Sequence, residues 1–247
     1  MEWSDEGLVL LRRRHGETNA VVTLFTQAHG RHLGLVRGGS GQRHAGTFQL
    51  GNVVAARWRA RLEEQLGSYV CELAESVAAH VLDDPGRLEA LAACAELLDA
   101  VLPERHAYPE LYAATRALVT NLTAASYASD LVRWELGLLM TLGFGLDLTA
   151  CAATGQLDEL AYVSPRTGRA VSREAGRALS GRLLELPAFL TGPRGAQTID
   201  DSDIAAGLVL TGHFLERHLL APARRVMPPS RLRLVDRWSR AARLRAP

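Results

Sequence analysis

The stretch GNVVAARWRARL, residues 51–62, decides how the first part of this chain is interpreted. Side chains alternate along it: one face carries Val54, Ala56, Trp58, Ala60 and Leu62, and the opposite face ends in Arg57, Arg59 and Arg61. A period of two is typical of a β-strand that packs one face on a core. We therefore predict a strand with Trp58 on its inner face and arginines on its outer face.

Four further short apolar segments, separated by glycine and asparagine, lie around this strand in the sequence. They are GLVLLRRRH (7–15), NAVVTLFTQ (19–27), RHLGLVRGG (31–39) and GSYVCELAE (67–75). Five short antiparallel strands in roughly 70 residues suit a small closed barrel. The OB-fold is the commonest nucleic-acid-binding form of such a barrel, and a small SH3-like barrel is the alternative.

From Ser76 onward apolar residues recur every three or four positions, which indicates helices. Leu131, Trp134, Leu138 and Leu142, for example, share one face. The predicted helices cover residues 76–83, 85–102, 108–125, 129–143, 174–186, 201–220 and 228–243. We predict an α+β chain of two domains: an N-terminal five-stranded OB-fold β-barrel at 1–75, and an all-helical C-terminal domain at 76–247 that contains a loop at 147–176.

Length and composition restrict the class of protein. The 247 residues, 47% of them hydrophobic, are enough to bury a sizeable core. No run of 18 or more apolar residues appears, and MEWSDEGLVLL lacks the basic start of a signal peptide. Cys71, Cys94 and Cys151 are far apart and odd in number, which argues against a disulfide framework. We expect a soluble cytoplasmic protein.

The net charge of +1 conceals a strong segregation along the chain. Residues 8–61 contain nine Arg and one acidic residue, residues 72–161 contain fourteen acidic residues and four Arg, and residues 162–247 contain fifteen Arg and seven acidic residues. All 28 basic residues are Arg, whose planar guanidinium suits phosphate. Two basic ends that flank an acidic middle favour nucleic acid as a partner, and a solvated charged surface is the alternative.

No group of residues points to catalysis, so we do not expect an enzyme. The glycine-rich RGGSGQRHAG (37–46) lacks the Gly-Lys-Ser/Thr of a phosphate-binding loop. His29 and His32 have an odd separation, which in a strand places them on opposite faces, and we expect the histidines at the surface or at caps. Asp200, Asp201 and Asp203 stand where a helix begins and are interpreted as capping charges.

Several segments together resemble the RecO family of bacterial recombination mediator and DNA repair proteins. They are EGLVLLRRRHGETNAVVTLFTQAHGR (6–31), LVRGG (35–39), FQLGNVV (48–54), RWELGLLMTLGFGLDLTACAATG (133–155) and YVSPRTGRAVSREAG (162–176). The resemblance covers nearly the whole chain. It implies an N-terminal OB-fold, a helical C-terminal domain and no enzymatic turnover.

The resemblance also implies partners. Members bind single- and double-stranded DNA, anneal complementary strands, and work with RecR to load RecA onto DNA coated by single-strand-binding protein, whose acidic C-terminal tail recruits them. A cytoplasmic, nucleoid-associated location follows. The alternative is an adaptor whose acidic helical region binds another protein and for which DNA binding is incidental.

Arginines of the predicted barrel are the DNA-binding candidates: Arg12, Arg14, Arg31, Arg37, Arg43, Arg57, Arg59 and Arg61. Trp58 and Phe25 are assigned to the core, so little stacking on bases is expected. Binding should then depend on phosphates, tolerate any base sequence and weaken steeply with salt. For each arginine the alternative is a solvated surface residue.

The second basic region, RHLLAPARRVMPPSRLRLVDRWSRAARLR (217–245), is a candidate for an additional DNA surface or for the site of the acidic tail. The tail-binding candidates are Arg217, Leu220, Arg224, Arg225 and Arg231. A C-terminal amphipathic helix whose arginines only face solvent is the alternative.

The loop at 147–176 corresponds to a zinc knuckle in the zinc-bearing members of the family, where two Cys-x-x-Cys pairs hold the ion. Here the four positions hold Cys151, Thr154, Ser172 and Ala175. One thiol cannot hold a structural zinc, so we predict no metal and no cofactor. Packing of Tyr162 and Val163, together with turns at Gly155 and Gly168, should hold the loop instead.

Overall fold

The computed structural model describes residues 1–192 and 198–245, apart from the side chains of Arg43 and Ser180. The chain divides into two compact units. The first contains Met1–Tyr127 and Pro228–Arg231, and the second contains Ala128–Met227 and Leu232–Pro247.

The first unit begins with five strands. They are β1 (Glu2–His15), β2 (Asn19–Thr26), β3 (Gly30–Val36), β4 (Val53–Arg59) and β5 (Ser68–Glu75). In space they follow the order β1-β2-β3-β5-β4, and β4 pairs back onto β1, so the sheet closes into a barrel. The join between β3 and β5 is narrow, since their ladder has one residue pair, Leu35 with Ser68. The five predicted strands and the OB-type barrel are confirmed.

The barrel interior is filled by the alternate residues that the period of two predicts. It contains Val9, Ala20, Val22, Leu24, Val36, Phe48, Val54, Ala56, Trp58 and Tyr69. Trp58 is buried and donates its indole N–H to the Leu66 carbonyl over 3.0 Å. Gly34 allows the Tyr69 ring to lie against the backbone, since a Cβ there would stand 2.3 Å from the ring.

Two helices of the first unit pack on the barrel. They are α1 (Pro85–Val101) and α2 (Pro109–Thr120). Asp84 caps α1 by accepting from the N–H groups of Gly86 and Arg87. Arg31 of β3 donates from Nε to the Leu102 carbonyl at 2.8 Å, and the Tyr112 ring of α2 meets Phe25 edge-on with centroids 5.5 Å apart. Because of these contacts the first compact unit extends to Tyr127, whereas the change from strands to helices falls near the predicted boundary at 75.

The second unit contains helices and a small sheet that the sequence did not predict. The helices are α3 (Tyr127–Thr141, which begins in the first unit), α4 (Arg173–Gly176), α5 (Asp201–Leu215) and α6 (Pro229–Arg245, whose first turn belongs to the first unit). The strands are β6 (Leu160–Val163), β7 (Ala170–Ser172) and β8 (Leu184–Glu185), in the order β7-β6-β8.

Two predicted helices are wrong. Residues 76–83 form only a 3-10 turn at Ala78–His80. Residues 174–186 break into α4, a 3-10 segment at Arg177–Arg182 and β8. Gly176 ends α4 where the Tyr162 ring lies so close that a Cβ would stand 2.4 Å from it, and Gly181 follows five residues later. Glycines are poor helix formers, so the apolar spacing alone does not sustain a long helix here.

The start of α5 confirms the capping interpretation of its aspartates. The Asp200 carboxylate accepts from Asp203 N–H at 2.9 Å, and the Asp203 carboxylate accepts from Asp200 N–H at 3.2 Å, which is a reciprocal capping box. None of the helices in residues 1–192 and 198–245 has the length and apolar character that a bilayer crossing requires.

Candidate nucleic-acid interface

A groove of about 580 Å³ crosses the outside of the barrel near the β3–β5 join. Three of the predicted DNA-binding arginines, Arg37, Arg57 and Arg59, line it and are exposed. The remaining wall is formed by Glu2, Val36, His44 and the β5 residues Ser68, Tyr69, Val70 and Cys71. We call this the arginine groove.

Strand register explains why these residues meet. Arg59 pairs with Glu2 of β1 on one side and with Ser68 of β5 on the other. Arg57 pairs in the same way with Ser4 and Val70. Arg57 and Arg59 stand two residues apart on one face, hence roughly 6.6 Å apart along the strand. Arg37 follows β3 directly and reaches the same groove from the other side.

The outer face of β4 is graded in charge. One end carries Arg57 and Arg59, and Glu2 lies beside them with its Oε1 3.8 Å from Arg57 Nε. Two residues further, Ala55 pairs with Glu6 and with Glu72, so that end is acidic. Within the described part of the chain neither Arg37 nor Arg59 forms an ion pair. Positive charge that no carboxylate neutralises is therefore concentrated at the arginine-bearing end of this face.

Three of the other predicted DNA-binding arginines have structural partners. Arg12 donates to the carbonyls of Gly39 at 2.9 Å and Gly41 at 3.4 Å, and Arg14 donates to those of Gly16 and Glu17 in the β1–β2 turn. Arg31 binds Leu102, Asp99 and Glu104. Arg61 is exposed but follows the end of β4 at Arg59, which corrects the predicted length of that strand. The side chain of Arg43 lies outside the described residues.

The strand 2–3 face, which OB-folds commonly use for oligonucleotides, is covered here. Phe25 and Thr23 point outward from β2 but are buried, and Phe25 contacts Tyr112 of α2. Arg31, on the neighbouring β3, is bound to the end of α1. In contrast to this covered face, the arginine groove on β4 and β5 is open and basic.

Behind the groove lies an aromatic cluster that the sequence did not reveal. The Trp3 ring stacks on His29 with centroids 3.9 Å apart and on Trp58 at 5.7 Å. His32 is buried, with Nδ1 3.1 Å from the Tyr69 hydroxyl, and burial together with Arg105 lowers its pKa to about 4. The prediction of a surface His32 is wrong. His29 and His32 both contact Trp3 because β3 starts at Gly30, so strand alternation does not include His29.

The five predicted tail-binding residues differ in their exposure. Arg217 is exposed and donates to the Pro165 carbonyl at 2.9 Å, and Arg224 and Arg225 are exposed in the turn that follows. Leu220 is fully buried, and Arg231 is 2% exposed and belongs to the first compact unit. Leu220 and Arg231 are therefore withdrawn from the predicted docking surface, because neither side chain reaches solvent.

Hydrogen bonds hold the knuckle loop. Cys151 N–H donates to Gln156 O at 2.7 Å and Gly155 N–H to Cys151 O at 2.8 Å, while Ser172 N–H donates to Cys151 Sγ at 3.2 Å. Burial opposes a charged thiolate, but hydrogen bonds from Ser172, Thr154 and Ala153 outweigh it and lower the pKa of Cys151 to about 6. Of the four zinc-ligand positions only Cys151 offers a ligand of the right type, so these residues do not fit zinc.

The fold and the groove define a class: OB-type barrel proteins with an appended helical region and a basic external groove. Two family models match the chain, the N-terminal model of recombination protein O over residues 1–77 and its C-terminal model over residues 82–226. The chain belongs to the RecO family of DNA repair proteins.

Curated relatives agree over nearly their whole length. The DNA repair protein RecO of Rhodospirillum rubrum is 51% identical over 256 residues, covering 98% of this chain and 100% of the relative. That of Rhodospirillum centenum is 52% identical, covering 98% and 96%. That of Methylobacterium nodulans is also 52% identical, covering 93% and 94%.

Proposed function

We propose that the chain is a non-enzymatic DNA-binding recombination mediator. It binds single- and double-stranded DNA through phosphates, anneals complementary strands, and helps RecR to load RecA on DNA coated by single-strand-binding protein. Its place of action is the cytoplasm, at the nucleoid. Family membership supports the repair role, and the arginine groove supports the mode of binding.

One observation carries the DNA-binding proposal: Arg37, Arg57 and Arg59 converge on one open groove with a single carboxylate, Glu2, among them. Guanidinium groups bind phosphate oxygens strongly and without regard to base sequence. Holding two strands close while their phosphate repulsion is neutralised is all that annealing requires of a protein. No proton transfer or nucleophile is needed for that role.

The test is a titration of a labelled single-stranded oligonucleotide at several salt concentrations. Replacing Arg37, Arg57 and Arg59 together by alanine should weaken binding and reduce the slope of log affinity against log salt by about 2, since each phosphate contact on a single strand contributes about 0.7. The matched control replaces Arg166, Arg177 and Arg182, three exposed arginines of the second unit, and removes the same charge.

The control variant should keep most of the wild-type slope. Equal losses in the two triple variants would show that only net charge matters and would remove the groove from the proposal. Wild-type affinity that is absent at low salt, or independent of salt, would contradict the mediator role itself.

Annealing and partner recruitment need a second assay. Complementary strands coated with single-strand-binding protein should anneal faster in the presence of the chain, and the groove variant should lose this effect. Arg217, Arg224 and Arg225 are the remaining candidates for contact with the acidic tail. A coat protein without its tail should then abolish the acceleration on coated strands while leaving that on bare strands intact.

A further inference from the structure

Strand β5 has one long edge without a partner strand. It pairs with β4 from Ser68 to Glu75, but on its other side the ladder to β3 ends at the single pair Leu35–Ser68. Chain direction explains this, because β3 stops at Val36 and the backbone turns away through Gly38 and Gly39. Among the described residues no backbone hydrogen bond reaches β5 on this side beyond that point.

The free backbone groups on this edge can be assigned. Leu35 N–H donates to Gly67 O, so the peptide groups of Gly67 face β3. Backbone groups alternate in direction along a strand, and those of Tyr69, Cys71 and Leu73 therefore face the same edge. Tyr69 adjoins the single residue pair with β3. Beyond it, Cys71 and Leu73 present N–H and C=O groups toward open space. Unpaired groups of this kind are a template for another strand.

The space beside the edge is large enough for an extended chain. The arginine groove runs between the end of β3 with His44 on one side and the Tyr69–Cys71 segment on the other. Val70, at 69% exposure, and Leu73, at 45%, offer apolar surface beside it. A strand that continues the line of β3 would lie in this groove.

The charges along the edge indicate what kind of strand can bind there. Arg37, Arg57 and Arg59 surround its Ser68 end, whereas Glu72 stands toward its other end, where Arg116 already binds the Glu75 carboxylate at 2.8 Å. A second copy of β5 is disfavoured, because antiparallel self-pairing centred on Glu72 would place two carboxylates opposite each other. An incoming strand that is acidic at one end and uncharged at the other is complementary to both the arginine end and the Glu72 end of this edge.

We infer that the free edge of β5 is a docking site for an extended peptide segment of a partner protein, which adds as a strand and places its acidic end against Arg37, Arg57 and Arg59. Main-chain hydrogen bonds to Cys71 and Leu73 hold the segment, and the charge gradient fixes its polarity. The inference does not require DNA in the groove, although DNA and the peptide would exclude each other there.

Two labelled synthetic octapeptides of identical composition serve as probes: one has three aspartates followed by alternating valine and threonine, and the other has the reverse order. The chain should bind one of them at least about fivefold more tightly, because the wrong polarity brings aspartate against Glu72. N-methylation of alternate peptide groups in the tighter probe should weaken binding about tenfold, because it removes the strand hydrogen bonds and keeps the charge. Equal binding of the two orders, or of the methylated and unmethylated forms, would overturn the inference.

A protein variant tests the same edge from the other side. Leu73→Pro removes one edge N–H and leaves the bonds to β4, whereas Leu73→Ala keeps that N–H and serves as the control. Leu73→Pro should weaken peptide binding at least about fivefold more than Leu73→Ala does, because both variants lose the apolar side chain and only Leu73→Pro also loses the N–H; neither variant should change DNA affinity. Thermal unfolding checks that both variants fold. If Leu73→Pro folds and binds the peptide like the wild type, the inference fails, whatever the DNA titration shows.

Discussion

Glu2 is the one carboxylate in the arginine groove, and its side chain and that of Arg57 are half exposed or more. An exposed ion pair at 3.8 Å contributes little to stability, so its main effect is on ligands. Glu2→Gln removes a negative charge from the path of a phosphate backbone. We expect it to raise affinity for single-stranded DNA about two- to fivefold at low salt and to leave the melting temperature unchanged.

Titration of the labelled oligonucleotide with Glu2→Gln and with the wild type at one low salt concentration checks this. Glu174→Gln, which removes an exposed carboxylate of the second unit, is the control. If Glu2→Gln has no more effect than Glu174→Gln, DNA does not pass Glu2.

Cys151 predicts a pH-dependent contribution to stability. The folded pKa is about 6 and the ordinary value is 9.0, so the folded state favours the thiolate. A depressed pKa contributes stability that is fully present above the unfolded value and is lost as pH falls toward the folded value. Replacing Cys151 by Ala should therefore cost more stability at pH 9 than at pH 6.

Thermal unfolding at several pH values between 6 and 9 measures the difference between the wild type and the Cys151 variant. Cys71→Ala is the control, because burial raises the pKa of Cys71 to about 12 and keeps it a neutral thiol throughout this range. A Cys151 difference that is constant with pH, like that of Cys71, would contradict the assignment of a thiolate.

At the residue scale the sequence predicts which side of a strand a residue occupies, but not what covers that side. Trp58 and Phe25 are correctly assigned to buried positions, and Arg57 and Arg59 to the surface. Arg31 alternates outward just as Arg57 does, yet the end of α1 binds it. The hydrogen bond between Arg31 and Leu102 joins residues 71 positions apart, so no local sequence pattern predicts it.

At the scale of elements, Arg31 connects β3 to the end of α1. Its contacts with Leu102, Asp99 and Glu104 involve charged groups that are only partly exposed. Arg31→Met should lower the free energy of unfolding by about 2–3 kcal/mol and leave the salt slope of DNA binding unchanged. Denaturant unfolding and the oligonucleotide titration measure the two quantities.

Arg61→Met is the matched control, since Arg61 is exposed beyond β4 and should cost less than about 0.5 kcal/mol. A reduced salt slope in Arg31→Met with unchanged stability would return Arg31 to the DNA-binding set.

The sequence predicts a strand or helix correctly where the spacing of apolar residues is regular and a second signal, such as a capping residue, supports it. The five strands have their alternation, and α1 and α5 have their aspartate caps. Residues 174–186 have helical spacing without such support, and Gly176 and Gly181 break the segment. The arginine groove could not be predicted, because it depends on the register that places Arg59 beside Ser68 and on where β3 ends.

For the whole molecule, the compact units predict how the chain can be divided. The fragment 1–127 retains α1 and α2 on the barrel and lacks only Pro228–Arg231 of its unit, whose Ser230 hydroxyl donates to Glu96 at 2.6 Å. The fragment 1–81 exposes Phe25 and leaves Arg31 without its partners. We expect 1–127 to unfold cooperatively and 1–81 to melt at least about 10 °C lower or to aggregate.

Circular dichroism during heating compares the two fragments. Equal melting temperatures would mean that the barrel is autonomous, and that the domain boundary lies near residue 75, where the strands end.

At this scale the sequence predicts the fold class and the family. Cys151, Thr154 and Ser172 come together because β6 and β7 form a hairpin that returns Ser172 to Cys151. The covered strand 2–3 face and the open edge of β5 both depend on contacts between residues far apart in the chain. Local sequence patterns do not predict such contacts.

The ring stack of His29, Trp3 and Trp58 has an optical consequence. Tryptophan emission depends on what lies against the indole and on how much water reaches it. Trp3 is half-buried, adjoins Glu2 in the sequence, and packs behind the arginine groove. We therefore expect intrinsic fluorescence to change when the groove is filled, without any attached dye, and replacing Trp3 by phenylalanine would show how much of the change it supplies.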